Sequence, residues 1–348
     1  MSDATAPETE SAAIQKRIRW IAILERFGVV LFLIVLMAFF TTQNVRFIYP
    51  RNLFNILADV SIYGVMAVGM TLVILTAGID LSVGAILAFA AMSAAAVLKG
   101  TGESRAVPED PMAFGGYAWL VALAVATGVG LLCGWLQGLA ITRLKVPPFV
   151  VTLGGMTVWR GATLVAGEGS PISGFAPGLR WWGSGNFLFV PVPVWLFAIV
   201  TAVGFILLQY TRYGRQVYAV GGNPEAARLS GLRVNRILVS VYAIVGFLAG
   251  LAGFMETARL DSAEAVAGDG FELRVIASVV IGGTSLFGGL GGVLGTVVGT
   301  VLIGVLLNGL VIMNVSAYYQ QIIIGVIIVL AVAFDTFAKS KSGSVSTH

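Results

Sequence analysis

Apolar residues occur along this chain in long blocks, and short polar stretches separate them. An α-helix needs about 20 apolar residues to cross the hydrocarbon of a bilayer. Ten blocks approach or exceed that length, and two of them, at 81–98 and 273–288, are short and contain glycine, which favours partial or broken helices. The pattern predicts an all-α polytopic membrane protein with about ten transmembrane helices. The predicted segments are 24–41, 53–76, 81–98, 117–140, 149–167, 193–210, 237–258, 273–288, 293–313 and 319–337.

The distribution of Lys and Arg predicts how these segments are oriented. An even number of spans puts both termini on one side, and cytoplasmic loops carry the excess of Lys and Arg. With the termini inside, thirteen Lys and Arg residues lie in cytoplasmic segments and seven lie in external ones. We therefore expect both termini in the cytoplasm. The predicted organisation is a disordered N-terminal tail at 1–20, a transmembrane domain at 21–338 and a C-terminal tail at 339–348.

Composition supports the membrane assignment and excludes several kinds of chemistry. Of the residues, 57% are hydrophobic and 11% are charged, and the mean hydropathy is +0.92; soluble domains carry roughly a quarter charged residues. Cys133 is the only cysteine and His348 the only histidine, so no disulfide within the chain, cysteine metal site or Ser-His mechanism is expected. No Gly is followed by Lys, so the phosphate-binding P-loop is absent. We expect no catalytic residue and no metal site, and the net charge of +4 does not indicate nucleic-acid binding.

Glycines at four-residue spacing predict close packing of helices. In lipid, helices associate where small residues let their backbones approach. Three such ridges occur among the 44 glycines, which predicts a tightly packed bundle. They are Gly130, Gly134 and Gly138; Gly246 and Gly250; and Gly291, Gly295 and Gly299.

Two short segments resemble each other. GIDLSVG at 78–84 and GTSLFGG at 283–289 share glycine at the first and last positions and leucine at the fourth, and both follow a β-branched apolar run. Gly-interrupted spans at corresponding positions often mark the central path of a transporter. Chance similarity in a Gly-rich chain explains the match equally well.

Polar residues inside apolar segments are candidates for a solute path. Ionisable groups are costly in lipid and usually face a cavity or a partner. Each also has a structural interpretation: Asp80 can cap a helix starting at Leu81, and Arg160 and Glu256 can pair or lie near an interface. The predicted path residues are Asn55, Asp59, Thr71, Thr152, Glu256 and Asn308, with further candidates at Gln137, Asn314, Gln320 and Gln321.

Two adjacent tryptophans occur in the predicted external loop SPISGFAPGLRWWGSGN. Trp181 and Trp182 could stack on a sugar ring. Tryptophan also anchors proteins at the membrane interface, and we favour that role for this pair.

The polar, basic and Gly-rich segment at 211–236, termed the island, predicts a short helix outside the bilayer. Asn223 can cap a helix, and Pro224 then occupies its first position. Glu225 suits the positive end of the helix dipole, and Gly231 ends the helix. The predicted helix is Pro224 to Ser230, on the membrane surface where a soluble partner could bind. A mere connecting loop is the alternative.

The island resembles the coupling loop of the sugar-type permeases of bacterial ATP-binding-cassette importers, the ribose, xylose and galactose group. YAVGGNPEAARLSGLRVN at 218–235 carries this resemblance, and MAVGMTLVILTAGIDLSVGAILA at 66–88 is the strongest further match. The resemblance runs from about residue 50 to the end of the chain. Shorter matching stretches are TRYGRQVYA at 211–219, ARLDSAEAVAGDGFEL at 258–273, IASVVIGGTSLFGG at 276–289 and SAYYQQIIIGVIIVLAVAFD at 316–335.

This resemblance implies a division of labour between several chains in the bacterial inner membrane. Two permease subunits, identical or homologous, would span the membrane. Residues 21–338 of this chain would form the transmembrane domain of one of them. Two cytoplasmic ATPase subunits would bind ATP and Mg, leaving this chain without a cofactor, and a periplasmic sugar-binding protein would dock at external segments including 259–272. The ATPase would contact Gly222, Asn223, Pro224, Glu225, Arg228 and Gly231.

The leading hypothesis is thus a non-catalytic permease subunit that moves a monosaccharide or related polyol. A proton-coupled secondary sugar transporter is the alternative, with Asp59 and Glu256 as proton carriers. A membrane scaffold or receptor subunit that passes no solute is a third possibility.

Overall fold

The computed structural model describes residues 28–100 and 116–343. The predicted tail at 1–20 lies outside the described residues. The same holds for residues 101–115 and for residues 344–348 of the predicted C-terminal tail.

The described residues form a helical bundle with two very short β-pairs. A 3₁₀ turn at Val45–Ile48 joins α1 to α2. The α-helices, in chain order, are α1 Gly28–Gln43, α2 Pro50–Leu75, α3 Val83–Lys99, α4 Ala118–Leu144, α5 Pro148–Gly167, α6 Pro177–Ser184, α7 Val192–Tyr210, α8 Arg212–Gly222, α9 Pro224–Leu229, α10 Val234–Leu260, α11 Phe271–Ile281, α12 Val293–Ile312 and α13 Ala317–Gly343.

Each of the ten apolar segments overlaps a helix, and six of these helices are long and apolar enough to cross a membrane: α2, α4, α5, α7, α10 and α12. The two segments expected to be short differ from the rest. The segment at 81–98 becomes the 17-residue α3, and the segment at 273–288 becomes α11, which has only 11 residues and ends at Ile281. At 1.5 Å per residue, α11 is about 16 Å long, or roughly half the hydrocarbon thickness.

Helix α2 forms the centre of the bundle. Nearly its whole second half is buried, from Val60 to Leu75, and it packs against α7, α10, α11 and α12. Large apolar side chains on α4, α5 and α7 are instead exposed, among them Leu132, Val158 and Ile199. Apolar side chains inside and outside the bundle are the arrangement expected of a protein surrounded by lipid.

The predicted glycine ridges on α4 and α10 face each other. A side chain on Gly130 or Gly134 would overlap the backbone of α10 at Gly246 or Tyr242, and one on Gly250 would overlap Ala126 of α4. The third ridge is corrected at one position. Gly295 and Gly299 of α12 contact the backbone of α11 and its end, whereas Gly291 lies in the loop before α12, with φ +128°.

The two similar Gly-containing segments meet in space. Residues 76–82 connect α2 to α3, and residues 282–292 connect α11 to α12. The amide of Gly289 donates to the carbonyl oxygen of Leu75 at 3.0 Å, and a side chain on Gly288 would contact Ala77 and Gly221. Both segments interrupt the helical course of the chain and are termed the Gly-containing breaks. They therefore pack against the C-terminal end of α8.

Asp80 does not cap a helix starting at Leu81, because α3 begins at Val83. Its Oδ1 instead accepts hydrogen bonds from the amide and the hydroxyl of Ser82, at 2.8 and 2.6 Å. Gln137 of α4 bonds the same hydroxyl. Through Ser82, the buried carboxylate of Asp80 thus links the break at residues 76–82 to α4.

The other end of the bundle is covered by connections around α6. Strand β1, Ile172–Ser173, pairs antiparallel with β4, Ser262–Ala263, and β2, Asn186–Phe187, pairs with β3, Val190–Pro191. Of the two predicted interface anchors, Trp181 is 45% exposed, whereas Trp182 packs between Trp119 and Phe254.

Candidate coupling surface and polar cavity

The predicted surface helix is present as α9, which ends at Leu229, one residue before the expected end. The side-chain oxygen of Asn223 accepts from the amides of Glu225 and Ala226 at 3.1 and 3.0 Å, and Pro224 occupies the first helical position. These are the capping roles that the sequence predicts.

A Schellman motif closes the other end of α9. Gly231 has φ +83°, and its amide donates to the carbonyl of Arg228. The amide of Leu232 donates to the carbonyl of Ala227 at 3.1 Å. Helix α9 is thus capped at both ends by interactions within its own sequence, which makes a six-residue helix possible outside lipid.

The exposed face of α9 is charged at one side and apolar at its tip. Arg228 and Glu225 form an ion pair at 2.9 Å, with side chains 58% and 73% exposed. Leu229 is 89% exposed, and Ala227 is the only buried residue of this helix. An exposed ion pair adds little stability, so neither it nor the exposed leucine is explained by the fold of α9.

A backbone contact connects this surface to the transmembrane helices. Gly221, in the last turn of α8, is buried, and a side chain there would overlap the carbonyl of Leu75 and meet the amide of Gly289. Gly222 is exposed and open. Movement of α8 and α9 would therefore act directly on the ends of both Gly-containing breaks.

A cavity of about 360 Å³ lies toward the other end of α2. Asp59 lines it, and 16 residues separate Asp59 from Leu75, which corresponds to about 24 Å along a helix. Three of the predicted path residues, Asp59, Glu256 and Asn308, lie in its wall, together with Gln320. Asn308 and Asn52 exchange side-chain hydrogen bonds at 2.9 and 3.1 Å beside it.

The charged groups of this cavity come from three helices. Asp59 of α2 pairs with Arg259 of α10, and Arg274 of α11 lies over the ring of Phe271 at 5.2 Å. Glu256 forms no salt bridge within the described part of the chain, and its buried Oε2 accepts no hydrogen bond there. A solute hydroxyl reaching this oxygen would therefore find a free acceptor.

A second cavity, of about 560 Å³, adjoins the first. Asn55 lines it, and Arg259 and Leu260 contribute to both. The Asp59–Arg259 ion pair consequently stands at the boundary between the two cavities. Four of the six predicted path residues are thus brought to one region by α2, α10 and α12.

Thr71 and Thr152 lie elsewhere, in contacts between elements. The hydroxyl of Thr71 is 2.7 Å from that of Thr296, and Thr152 donates to the carbonyls of Pro148 and Ile79. Both are fully buried. Arg160 does not pair with Glu256; it donates to the carbonyls of Ala265 and Ala267 at 2.7 Å each.

Sequence reasoning missed two cavity residues and one residue that lies beside the cavity. Arg259 and Arg274 lie at the ends of apolar blocks and count there as external-loop cations, and Asn52 precedes the predicted span. For Asn52 and Arg259, proximity to the ends of the segments that carry Asp59 and Glu256 was the one available signal.

Comparison with known proteins decides the family. The family described as branched-chain amino acid transport system, permease component, matches residues 52–332. This chain belongs to that family. The permease is 45% identical to the ribose import permease protein RbsC of Escherichia coli (strain K12) over 307 residues, which are 87% of this chain and 91% of the relative.

Two further relatives extend the match. The ribose import permease protein RbsC of Bacillus subtilis (strain 168) is 42% identical over 324 residues, covering 92% of this chain and 96% of the relative. The D-allose transport system permease protein AlsC of Escherichia coli (strain K12) is 36% identical over 313 residues, covering 89% and 91%. No solved structure matches the permease.

These matches confirm the predicted resemblance to sugar-type permeases of ATP-binding-cassette importers. The permease is a polytopic helical protein of the inner membrane, and its family consists of transport components, not enzymes.

Proposed function

We propose that this permease moves a monosaccharide or related polyol inward across the bacterial inner membrane, driven by ATP hydrolysis on a partner chain. The similarity of nearly the whole chain to ribose import permeases carries the proposal. The family description names branched-chain amino acids, but the relatives at 36–45% identity are named for sugars. No observation favours the proton-coupled alternative.

The ten apolar helices enter the bilayer in alternating directions, with both termini in the cytoplasm. Helices α8 and α9 are then cytoplasmic, whereas α6 and the connection at 261–270 face the periplasm. Five arginines in the island support this orientation through the positive-inside rule.

Helix α9 is the contact for the ATPase pair, which binds ATP and Mg. Gly222, Asn223, Pro224, Glu225, Arg228 and Gly231 form or shape this contact. The buried Gly221 transmits a displacement of α9 to Leu75 and Gly289, because its backbone contacts theirs without an intervening side chain. Binding energy is thereby redistributed between two states of the permease.

The solute passes the two cavities lined by Asn55, Asp59, Glu256 and Asn308. Their combined walls offer amides, a free carboxylate oxygen and paired charges, which suits a neutral solute with many hydroxyls. The larger cavity lies within the range of about 300–1,000 Å³ usual for small-molecule sites. Thr71 and Thr152 serve the path indirectly by holding α2 and α5 against their neighbours.

A second permease subunit, identical or homologous, completes the path. A periplasmic sugar-binding protein delivers the solute at the end that carries α6 and β4. The β1–β4 pair and the Arg160 hydrogen bonds hold that surface together.

Transport in vesicles tests the proposal. The permease is reconstituted with its ATPase and binding protein, and uptake of labelled ribose, allose and other sugars is measured. We expect uptake of at least one sugar that requires ATP and stops with a hydrolysis-deficient ATPase. Uptake that continues without hydrolysis, or that an uncoupler abolishes while ATP stays high, would contradict the proposal.

A further inference from the structure

A third cavity, of about 380 Å³, lies beside α9 where α8 meets the start of α10. It is distinct from the two solute cavities, which are toward the other end of the bundle. Gly231 and Leu232 form its rim, and Ile237 contributes an apolar wall. Its polar lining consists of Tyr213, Gln216, Arg233, Arg236 and Ser240.

The donors of this cavity suit an anion. Arg233 and Arg236 each present a guanidinium group, and the amide of Gln216 adds a neutral donor. Within the described residues, neither arginine forms a salt bridge. The first turn of α10 has no side-chain cap, but the amides of Val234, Arg236 and Ile237 donate to backbone carbonyls, so side chains supply the donors of this cavity.

The two hydroxyl groups in the cavity have a defined direction. Ser240 donates to the carbonyl of Ile237 at 2.8 Å, so Tyr213 is the donor in the 2.8 Å contact between the two hydroxyls. The oxygen of Tyr213 therefore retains free acceptor capacity. The cavity thus combines cationic donors with one acceptor, as a phosphate carrying a hydroxylated group requires.

The depth of the cavity identifies the source of such a phosphate. Helix α10 has 27 residues and is about 40 Å long, which exceeds the hydrocarbon thickness of about 30 Å. Its first turn, which includes Arg236, consequently extends into the headgroup layer. Anionic lipids are attracted to arginines at this depth.

We propose that this cavity binds the phosphate headgroup of an anionic phospholipid, with Arg233 and Arg236 as the principal ligands. The glycerol hydroxyls of phosphatidylglycerol can donate to Tyr213. The bound lipid adjoins Gly231 and thus supports the base of α9. This role is separate from solute transport and from ATPase contact.

Lipid binding by the full-length permease in detergent tests the proposal. Phosphatidylglycerol is titrated in a background of phosphatidylcholine, and retained lipid is counted by native mass spectrometry. We expect one tightly retained phosphatidylglycerol per chain. Arg233→Gln with Arg236→Gln should weaken its retention by about one order of magnitude or more.

The chain offers a matched control. Arg212 and Arg215 are exposed in α8 of the same island but do not line the cavity. Arg212→Gln with Arg215→Gln removes the same charge and should leave retention unchanged. Arg233→Lys with Arg236→Lys should keep most of it, and thermal unfolding in detergent identifies any variant that is simply misfolded.

Three results would overturn the proposal. Equal loss in both double Gln variants would show diffuse attraction and no site. Displacement of the lipid by millimolar inorganic phosphate would assign the cavity to a soluble anion. Unchanged lipid retention together with weaker ATPase binding would assign Arg233 and Arg236 to the protein contact.

Discussion

The two ends of this permease are built in different ways. At one end, α9 is shaped by its own neighbours in sequence, through the Asn223 cap and the Gly231 turn. At the other end, the cavity is assembled from residues as far apart in sequence as Asp59 and Arg259, which form an ion pair, or Asp59 and Asn308. A locally stabilised helix keeps its shape while the bundle next to it moves. A binding surface for another protein needs this property. A cavity walled by several helices changes whenever those helices shift.

The largest effect is expected at the contact joining the two ends. Gly221→Val would push a branched side chain into the backbone at Leu75 and Gly289, and such overpacking should cost at least about 3 kcal/mol. We expect poor accumulation in the membrane, a lower unfolding temperature in detergent and no uptake. Gly222→Ala changes the adjacent, open position and should keep normal stability. Normal unfolding of Gly221→Val would show that the close contact is dispensable.

Charge reversal on α9 should weaken binding of the ATPase without affecting the folding of the permease. Arg228→Glu places two carboxylates next to each other on an exposed surface, so insertion and stability should remain normal. We expect weaker ATPase docking and uptake lower by about tenfold, while hydrolysis becomes independent of the solute. Arg228→Lys keeps the charge and should keep most of the uptake. Full accumulation by Arg228→Glu at normal protein levels would count against this contact.

Substitutions at Glu256 test whether its side chain accepts a hydrogen bond from the solute or carries a proton. Glu256→Gln keeps the shape of the side chain and one carbonyl acceptor but cannot take up or release a proton, so uptake should stay within about threefold of normal. Glu256→Leu removes the acceptor and should raise the solute concentration for half-maximal uptake by about tenfold. Proton coupling demands a different outcome, in which Gln and Leu abolish uptake equally. Initial rates across a range of sugar concentrations distinguish the two.

The smallest effect is expected at the turn that ends α9. Gly231 has a left-handed backbone with open space around it, so Gly231→Ala introduces only backbone strain of about 1 kcal/mol. We expect a small decrease in ATPase affinity and at most a twofold decrease in uptake. Gly231→Asn should be milder, because Asn tolerates this conformation. A severe defect in both variants would indicate a direct contact at this position.

Comparison of particular residues shows how far the sequence could be interpreted. The apolar blocks and the α4 and α10 glycine ridges have strong local signals, and each corresponds to a helix or a close helix contact in the structure. The cap at Asn223 was predictable because capping depends on three or four adjacent residues. The end of α11 at Ile281 was not, because glycine within such a segment does not by itself end a helix, and the residues after it turn to meet Leu75.

The polar residues within the apolar segments fall into two groups in the structure: some line a cavity, and others lie in contacts between helices. The sequence identified Asp59, Glu256 and Asn308 as costly in lipid, and all three line one cavity. It could not distinguish them from Thr71, which faces Thr296 in a helix contact, since both kinds of residue interrupt an apolar run alike. Arg259 was overlooked because the end of a span and the wall of a cavity give identical patterns.

By itself, the sequence determined the class of the protein, the position of the apolar segments and the capped helix expected at Pro224 to Ser230, which ends one residue earlier at Leu229. Each of these depends on hydrophobic periodicity or on interactions within a few residues, and both can be detected along the chain. Only the tertiary structure decided which polar groups share a cavity, and that both Gly-containing breaks lie beneath Gly221. These features depend on backbone packing between helices that are distant in sequence, where one face of a helix cannot be distinguished from another until its neighbours are in place.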